Sequence, residues 1–194
     1  LIERSPRPRA GGYIVDLWGS GFDVAEKMGM RADLLEAGYP IQEVRIVDHS
    51  GDRVAGFGAH VIKRLVRDRI ASVLRGDLSE LLLSKAKTSA EIIFDDTITH
   101  LRENRNGIDV EFKRSANRRF DLLIGADGIN SGVRRLVFQE RCWEDKRLGY
   151  AVAAFEADDY HPSDENAYVF YGIPGLILRR FGLRDGKTLF LSAF

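Results

Sequence analysis

One segment in the second half of the chain limits the possible folds more than any other. Residues 120–124 form a nearly continuous apolar run, Phe-Asp-Leu-Leu-Ile. Such a run is typical of a parallel strand that other elements cover on both faces. A glycine-containing turn at 125–128 follows at once, and Ser131 is a suitable N-cap for a helix. The segment therefore predicts an α/β domain in which a buried strand turns directly into a helix.

The turn between this strand and this helix has the residue types that a dinucleotide site needs. Gly125 and Gly128 allow the backbone to approach a bulky cofactor closely, and Asp127 can accept a hydrogen bond from a ribose hydroxyl. The predicted helix start offers free N–H groups to a phosphate. Each residue also has an ordinary structural explanation, because Asp-Gly is a common turn and serine a common N-cap. The spacing alone leaves both interpretations open.

The apolar pattern changes near residue 150. Before it, helices and strands alternate, and the clearest helix is Asp77–Ala86, with Asp77 as N-cap and Glu80 in a capping-box pair. A hairpin over residues 41–58 is predicted as a small β excursion from the main sheet. Beyond residue 150, four segments are typical of strands joined by turns, at 151–157, 167–171, 176–183 and 188–194. The sequence thus predicts an α/β region followed by an antiparallel, β-rich region.

Composition and charge exclude several classes of function. Lys plus Arg and Asp plus Glu both number 29, so the formal net charge is zero and no nucleic-acid partner is expected. The lone Cys142 excludes an intramolecular disulfide, and no Cys/His cluster has zinc spacing, so we expect a reducing compartment and no metal site. No apolar run approaches the ~18 residues that span a bilayer, and no signal-peptide pattern is visible. We therefore expect a cytoplasmic protein without a membrane partner.

The segment from Asp127 to Arg134 resembles a motif of one enzyme family. Asp127, Gly128, Ser131 and Arg134 match the pattern D-G-x-x-S-x-x-R and follow a Gly-Ala pair. This pattern resembles the second FAD/NAD(P)H motif of the aromatic-hydroxylase class (class A) of flavoprotein monooxygenases. The resemblance implies that Asp127 and Gly128 bind FAD near its ribose and pyrophosphate, and that the motif also contributes to NAD(P)H binding.

Two further matches extend the predicted cofactor site. The first residues, Leu1–Arg4, resemble the end of the family's second strand, where a glutamate accepts hydrogen bonds from the adenosine ribose; this implies FAD binding by Glu3 and the adjacent Arg4. Arg75 resembles the family's arginine before a helix, which reaches the flavin-side phosphate, and its fork of donors suits that anion. Without the resemblance, a solvated Glu-Arg pair and a surface arginine explain these residues equally well.

The resemblance also implies that this chain holds only part of the family's fold. The stretch Arg9–Ser20 (RAGGYIVDLWGS) resembles the loop beside the flavin, most closely in the tetracycline-modifying branch. The family's G-x-G-x-x-G motif belongs roughly thirty residues before Glu3, and its third motif follows the β-rich domain. We therefore expect a sequence incomplete at both ends. Residues 1–150 would form a partial, Rossmann-like FAD-binding domain that lacks its first βα unit, and residues 151–194 the start of a substrate-binding domain.

These observations together predict an FAD-dependent monooxygenase that uses NAD(P)H and O2 to hydroxylate an aromatic or polyketide-like small molecule. No acid–base pair stands out, so no catalytic residue is predicted and the cofactor is expected to carry the chemistry. Two alternatives stay open: a related FAD oxidoreductase of the halogenase or prenyl-reductase type, and a non-catalytic nucleotide-binding fragment. The isolated 194 residues are expected to be inactive. The substrate, the choice between NADH and NADPH, and the oligomeric state do not follow from the sequence.

Overall fold

A computed structural model of the chain describes residues 1–8, 11–138, 142–160 and 166–194. The chain divides into two compact units. The first consists of Leu1–Arg9 and Lys85–Leu148, and the second of Ala10–Ser84 and Gly149–Phe194. Both units combine helices and strands, which confirms the predicted mixed α/β character. Within the described ranges, no helix is long and apolar enough to cross a membrane.

The helices and strands are short, and most lie close to the positions that the sequence pattern predicts. In chain order, the strands are β1 (Ile2–Glu3), β2 (Ile14–Trp18), β3 (Glu43–Val47), β4 (Arg53–Gly58), β5 (Ile70–Leu74), β6 (Ile93–Phe94), β7 (Ile98–Asn104), β8 (Gly107–Phe112), β9 (Arg118–Phe120), β10 (Val152–Ala157), β11 (Ala167–Ile173), β12 (Leu176–Gly182) and β13 (Thr188–Ala193). The helices are α1 (Ser20–Lys27), α2 (Arg31–Ala37), α3 (His60–Leu65), α4 (Arg75–Ala86) and α5 (Gly132–Val137).

The first unit contains two small sheets and the short helix α5. Strands β1 and β6 pair in parallel, and β7, β8 and β9 form an antiparallel sheet. A tight turn joins β7 to β8, in which Gly107 has a φ of +123° and the Asn104 side chain accepts a hydrogen bond from the Asn106 N–H at 2.9 Å. Val110 and Phe112 are buried, and Phe112 packs edge-on against Phe120. The sheet therefore has its own small apolar core.

A buried carboxylate fixes the turn between β8 and β9. Asp96 is 2% exposed, and it accepts hydrogen bonds from the N–H groups of Thr97 at 2.8 Å, Arg114 at 3.0 Å and Ser115 at 2.9 Å. The side-chain hydrogen bond from Ser115 lowers the pKa of Asp96 most strongly, burial opposes it, and the backbone N–H groups lower it further, to about 2. An ionised Asp96 thus satisfies two backbone donors of the turn between β8 and β9, together with the N–H of the adjacent Thr97.

The second unit is built on a six-stranded sheet with the order β10-β13-β12-β11-β3-β4. Neighbouring strands are antiparallel except β11 and β3, which are parallel. The predicted hairpin over residues 41–58 corresponds to β3 and β4, and these strands join the same sheet as the strands beyond residue 150. The predicted domain division at residue 150 stays a prediction.

Strands β2 and β5 form a separate antiparallel pair in the second unit, on which the helices pack. Phe22 of α1, Leu34 of α2 and Val73 of β5 are the centre of an apolar core, each 1% exposed or less. Leu78 and Leu81 of α4 are half-buried against this core, as their helical spacing predicts. A second core lies on the six-stranded sheet and consists of Tyr39, Phe181, Leu183 and Leu189.

The predicted buried strand at residues 120–124 is wrong. Strand β9 ends at Phe120, and the side chains of Leu122 and Ile124 are 72% and 78% exposed. A parallel strand is buried only where neighbouring strands and helices cover it. Among the described residues, no strand pairs with residues 121–126. The run is apolar in sequence, but no element among the described residues covers the side chains of Leu122 and Ile124.

One predicted helix start is also displaced. Helix α4 begins at Arg75, directly after β5, so Asp77 lies in its first turn and is not the N-cap. The chain enters this helix straight from a strand, and the polar side chain falls two residues inside it. The sequence pattern did not predict β5, although it is the most buried strand adjoining a predicted site residue.

Candidate functional site

The segment from Asp127 to Arg134 folds as a tight turn into α5. Ser131 is the N-cap of this helix, and its hydroxyl oxygen accepts a hydrogen bond from the Arg134 N–H at 3.0 Å. Gly128 has a φ of +83°, a conformation that favours glycine. Gly125 is required for a different reason, because a Cβ there would lie 2.9 Å from a methyl carbon of Val133. The predicted helix start near Ser131 is confirmed.

Asp127 holds the start of α5 through both of its carboxylate oxygens. Its Oδ1 accepts from the Ser131 hydroxyl, and its Oδ2 accepts from the N–H groups of Gly132 at 2.6 Å and Val133 at 3.1 Å. Burial raises the pKa of Asp127, but these hydrogen bonds outweigh burial and leave the pKa below its ordinary value. The first N–H groups of the helix are already used, so the expectation that they are free for a phosphate is wrong.

Arg134, the last residue of the motif, packs against Trp143. Its guanidinium carbon lies 4.4 Å from the Trp143 ring centroid, and the guanidinium donates to the Ile129 carbonyl. The carboxylate of Asp145 lies 3.8 Å from the guanidinium. Two nearby donors, the Nε of Arg134 and the indole Nε1 of Trp143, are buried and have no hydrogen-bond partner among the described residues. Such donors cost free energy until an acceptor reaches them.

Glu3 lies at the carboxyl end of the parallel strand β1, and its side chain is half-buried. Its Oε1 accepts a hydrogen bond from the Ser5 N–H at 2.7 Å, and within the described ranges no hydrogen bond to Oε2 is seen. Arg4 follows it and is exposed. The carboxylate therefore lies where the carboxyl ends of parallel strands usually present ligand-binding groups.

Arg75 lies against the glycine pair at the start of the second unit. Its guanidinium is 5.5 Å from the Tyr13 ring centroid, and its backbone N–H donates to the Tyr13 carbonyl at 3.1 Å. Gly11 and Gly12 have φ values of +71° and +114°. A Cβ on Gly12 would lie 3.0 Å from the Arg75 Nε, and one on Gly11 would lie 3.3 Å from a carboxylate oxygen of Glu156. Gly12 therefore leaves space for Arg75, and Gly11 leaves space for Glu156. Residues 9 and 10 of the predicted flavin loop lie outside the described residues.

The predicted cofactor residues lie in both units. Glu3, Arg4, Asp127 and Gly128 belong to the first unit, and Arg75 belongs to the second. Glu3, Asp127 and Gly128 make hydrogen bonds with residues close in sequence, and Arg75 contacts Tyr13 just before β2. Their role in cofactor binding stays a prediction.

Sequence reasoning missed a polar cluster in the second unit. Asp16 of β2 lies opposite Ser72 of β5, and the Ser72 hydroxyl donates to Asp16 Oδ1 at 2.6 Å. The Tyr168 hydroxyl of β11 donates to the same oxygen at 2.8 Å. The one local signal for this cluster is an exposed carboxylate in the middle of a short, otherwise apolar strand.

Across the four described ranges, no group of three or more His, Cys, Asp or Glu side chains is placed to hold a metal ion. Cys142 is an exposed free cysteine.

Comparisons with curated proteins identify relatives over most of the chain. No protein-family model matches it. An uncharacterized protein of Mycobacterium tuberculosis is 37% identical over 161 residues, which are 82% of this chain and 43% of the relative. A flavin-dependent monooxygenase of an unknown prokaryotic organism is 33% identical, with 82% of this chain and 41% of the relative covered. One of Legionella longbeachae is 30% identical with the same coverage. The chain thus spans less than half the length of these relatives.

Solved structures are similar along the whole chain. The tetracycline destructase Tet(55) is 25% identical and has a TM-score of 0.84, with 100% of this chain and 48% of that structure covered. HpxO of Klebsiella pneumoniae, complexed with FAD and uric acid, is 22% identical and has a TM-score of 0.76, with 99% of this chain and 49% of that structure covered. At 22% identity, the similarity to HpxO establishes the fold of this chain.

Proposed function

This chain belongs to the family of FAD-dependent monooxygenases, and we propose that the protein containing it uses FAD, NAD(P)H and O2 to hydroxylate an aromatic or polyketide-like small molecule. The observation that carries the proposal is the similarity to the tetracycline destructase Tet(55) along 100% of the chain, with a TM-score of 0.84. Relatives named flavin-dependent monooxygenase support it over 82% of the chain. The activity is assigned to the whole protein, since this chain spans less than half of each relative.

The first unit is proposed to be part of a Rossmann-like FAD-binding domain whose first βα unit lies outside this chain. The exposed side chains of Leu122 and Ile124 support this assignment, because they form the apolar surface that a further strand and helix would cover. The small parallel pair of β1 and β6 supports it as well. Residues 1–150 are proposed as the FAD-binding part, and residues 151–194 as the start of the substrate-binding domain.

The predicted cofactor residues fit FAD in chemistry. The Oε2 of Glu3 suits a ribose hydroxyl, and the exposed Arg4 and Arg75 suit phosphate oxygens. Asp127 already uses three of its roughly four acceptor positions, so its proposed role is to hold the Gly128 turn against the cofactor. When bound, FAD supplies the redox chemistry, and the residues of this chain bind and orient it.

The proposed substrate class follows from the ligands of the structural neighbours. HpxO is complexed with uric acid, and PqsL of Pseudomonas aeruginosa is in complex with 2-aminobenzoylacetate. Both ligands are small molecules with a planar ring, which supports an aromatic or polyketide-like substrate here. The zero net charge supports the absence of a nucleic-acid partner, and the single cysteine supports a cytoplasmic location.

The proposal is tested by producing the complete protein and recording its visible spectrum as purified. We expect the absorption bands of oxidised flavin, their loss on heat precipitation, and oxygen consumption with NADH or NADPH that a phenolic substrate accelerates. A folded protein that stays colourless after FAD is added would contradict the proposal and favour a non-catalytic nucleotide-binding role.

A further inference from the structure

Helix α3 presents a partly aliphatic face to solvent. Ala59, its N-cap, is buried, and Ile62 and Val66 are half-buried, so these residues mark the side of the helix that faces the second unit. Val61 and Leu65 lie one turn apart on the remaining surface and are 41% and 78% exposed. The helix packs beside β4, which is an edge strand of the six-stranded sheet. No element among the described residues covers the two exposed side chains.

Three cations lie close to these aliphatic side chains in sequence and carry no ion pair. Lys63, Arg64 and Arg67 are exposed, and within the described part of the chain none of them pairs with a carboxylate. Residues 53–67 contain no Asp or Glu, and Asp68, which follows, forms no ion pair there either. The end of a helix favours cations such as Lys63 and Arg64 but does not neutralise them. This surface is therefore locally positive on a chain whose net charge is zero.

One of these cations occupies a position where the backbone favours glycine. Arg67 has a φ of +52°, its N–H donates to the Arg64 carbonyl at 3.3 Å, and the Asp68 N–H donates to the Lys63 carbonyl at 2.8 Å. Glycine is usual at this left-handed position after a helix. Helix α1 ends with the same pair of hydrogen bonds and has Gly29 there, with a φ of +71°. Because folding alone favours glycine at position 67, we look for the use of the arginine side chain outside the fold.

We propose that the α3 patch, formed by Val61, Lys63, Arg64, Leu65 and Arg67, binds the surface of a bilayer that contains anionic phospholipids. The two aliphatic side chains enter the headgroup region, and the three cations contact lipid phosphates. Charge complementarity requires an anionic partner, and the exposed aliphatic side chains require one with an apolar layer beneath its charge. Binding of this kind is independent of the proposed monooxygenase function.

Other occupants fit the α3 patch less well. A second copy of the chain would bring two positive patches together, and like charges oppose that contact. A nucleic-acid backbone offers phosphates but no apolar surface for Leu65. A further segment of the same protein would bury three unpaired cations, which is costly. The expected lack of a membrane partner rests on the absence of a spanning run, which a surface-bound patch does not need.

The test is co-sedimentation of the complete protein with phosphatidylcholine vesicles, with and without phosphatidylserine. Each Lys or Arg near an anionic surface strengthens binding about fivefold. Three such cations should therefore make binding to the anionic vesicles about 100-fold tighter at low salt, and high salt should remove most of this preference. Leu65→Ser should weaken binding to the anionic vesicles about tenfold, whereas Leu35→Ser, at an exposed leucine of α2, should leave it unchanged.

Two triple variants remove the same charge from different surfaces. The patch variant should lose the preference for anionic vesicles, and it combines Lys63→Gln, Arg64→Gln and Arg67→Gln. The control variant should keep the preference, because its three exposed cations lie in and next to the β7–β8 hairpin of the first unit; it combines Arg102→Gln, Arg105→Gln and Lys113→Gln.

Arg67→Gly separates lipid binding from folding. Glycine suits the left-handed backbone at this position, so the urea midpoint of this variant should equal or exceed that of the wild type. Its binding to anionic vesicles should nevertheless fall about fivefold, because one cation is lost. A purely structural role of Arg67 would not reduce vesicle binding in a variant that is as stable as the wild type.

Several results would overturn the assignment of the α3 patch to a lipid surface. Wild-type protein that binds both kinds of vesicle equally, or neither, would do so. A preference that the patch variant keeps, or that the control variant loses equally, would do so as well. Binding of polyglutamate in place of anionic vesicles, lost in the patch variant, would show that the α3 patch docks an acidic protein surface and would also overturn the lipid assignment.

Discussion

Replacement of Arg75 by alanine separates cofactor binding from folding. In the structure, the guanidinium is exposed and its contact is with the Tyr13 ring, 5.5 Å away. An exposed cation–π contact stabilises by ~0.5–1 kcal/mol. Arg75 is also the first residue of α4, where a cation is unfavourable by ~0.3–1 kcal/mol. These two contributions nearly cancel, so we expect the free energy of unfolding of the apo-protein to change by less than ~1 kcal/mol.

The affinity for FAD should change far more. A hydrogen bond to a charged group contributes ~1.5–3 kcal/mol, and each ~1.4 kcal/mol corresponds to tenfold in Kd. If Arg75 donates to a cofactor phosphate, Arg75→Ala should therefore raise the Kd for FAD about 10- to 150-fold. The assay is titration of the complete apo-protein with FAD, followed by the quenching of flavin fluorescence, with urea denaturation of the same apo-protein in parallel.

A matched control is Arg69→Ala. The Arg69 guanidinium lies 5.3 Å from the Phe22 ring centroid and forms ion pairs with Asp23 and Glu26, so this variant also loses an arginine on an aromatic ring. Its Kd for FAD should equal that of the wild type. A Kd for Arg75→Ala within twofold of the wild type, or an equal weakening by Arg69→Ala, would refute the assignment of Arg75 to the cofactor.

Two further predictions concern stability. Leu34 is 0% exposed, whereas the adjacent Leu35 is 49% exposed. In urea denaturation, Leu34→Ala should therefore lower the free energy of unfolding by ~2–5 kcal/mol, and Leu35→Ala by less than ~0.5 kcal/mol. Equal losses in the two variants would show that the core is assigned wrongly. Hydrogen bonds lower the pKa of Asp96 from 3.8 to about 2, and the bond from the Ser115 side chain makes the largest contribution. Its stabilisation is therefore present above about pH 4 and lost as the pH falls through about 2. Asp96→Asn should be less stable than the wild type at pH 7, and the difference should shrink toward pH 2; a difference independent of pH would contradict this role of Asp96.

Most elements follow from local patterns because their signals lie within a few residues. The helix that spans Arg75–Ala86 and the strands beyond residue 150 lie close to their predicted positions, since apolar periodicity and turn residues are local properties. Helix starts are less local. The predicted N-cap at Asp77 is wrong because β5 continues directly into α4, and the pairing of β5 with β2 decides where that strand ends.

The sequence by itself determined the Asp127–Ser131 turn into α5 and the family to which the chain belongs, because those residues act within one short segment. Only the tertiary structure decided that Leu122 and Ile124 are exposed, since burial depends on which other elements cover a strand. It also decided that Tyr168 donates to Asp16, 152 residues earlier in the chain. Strand pairing and sheet packing bring such residues together, and neither leaves a periodic signal in the neighbouring sequence.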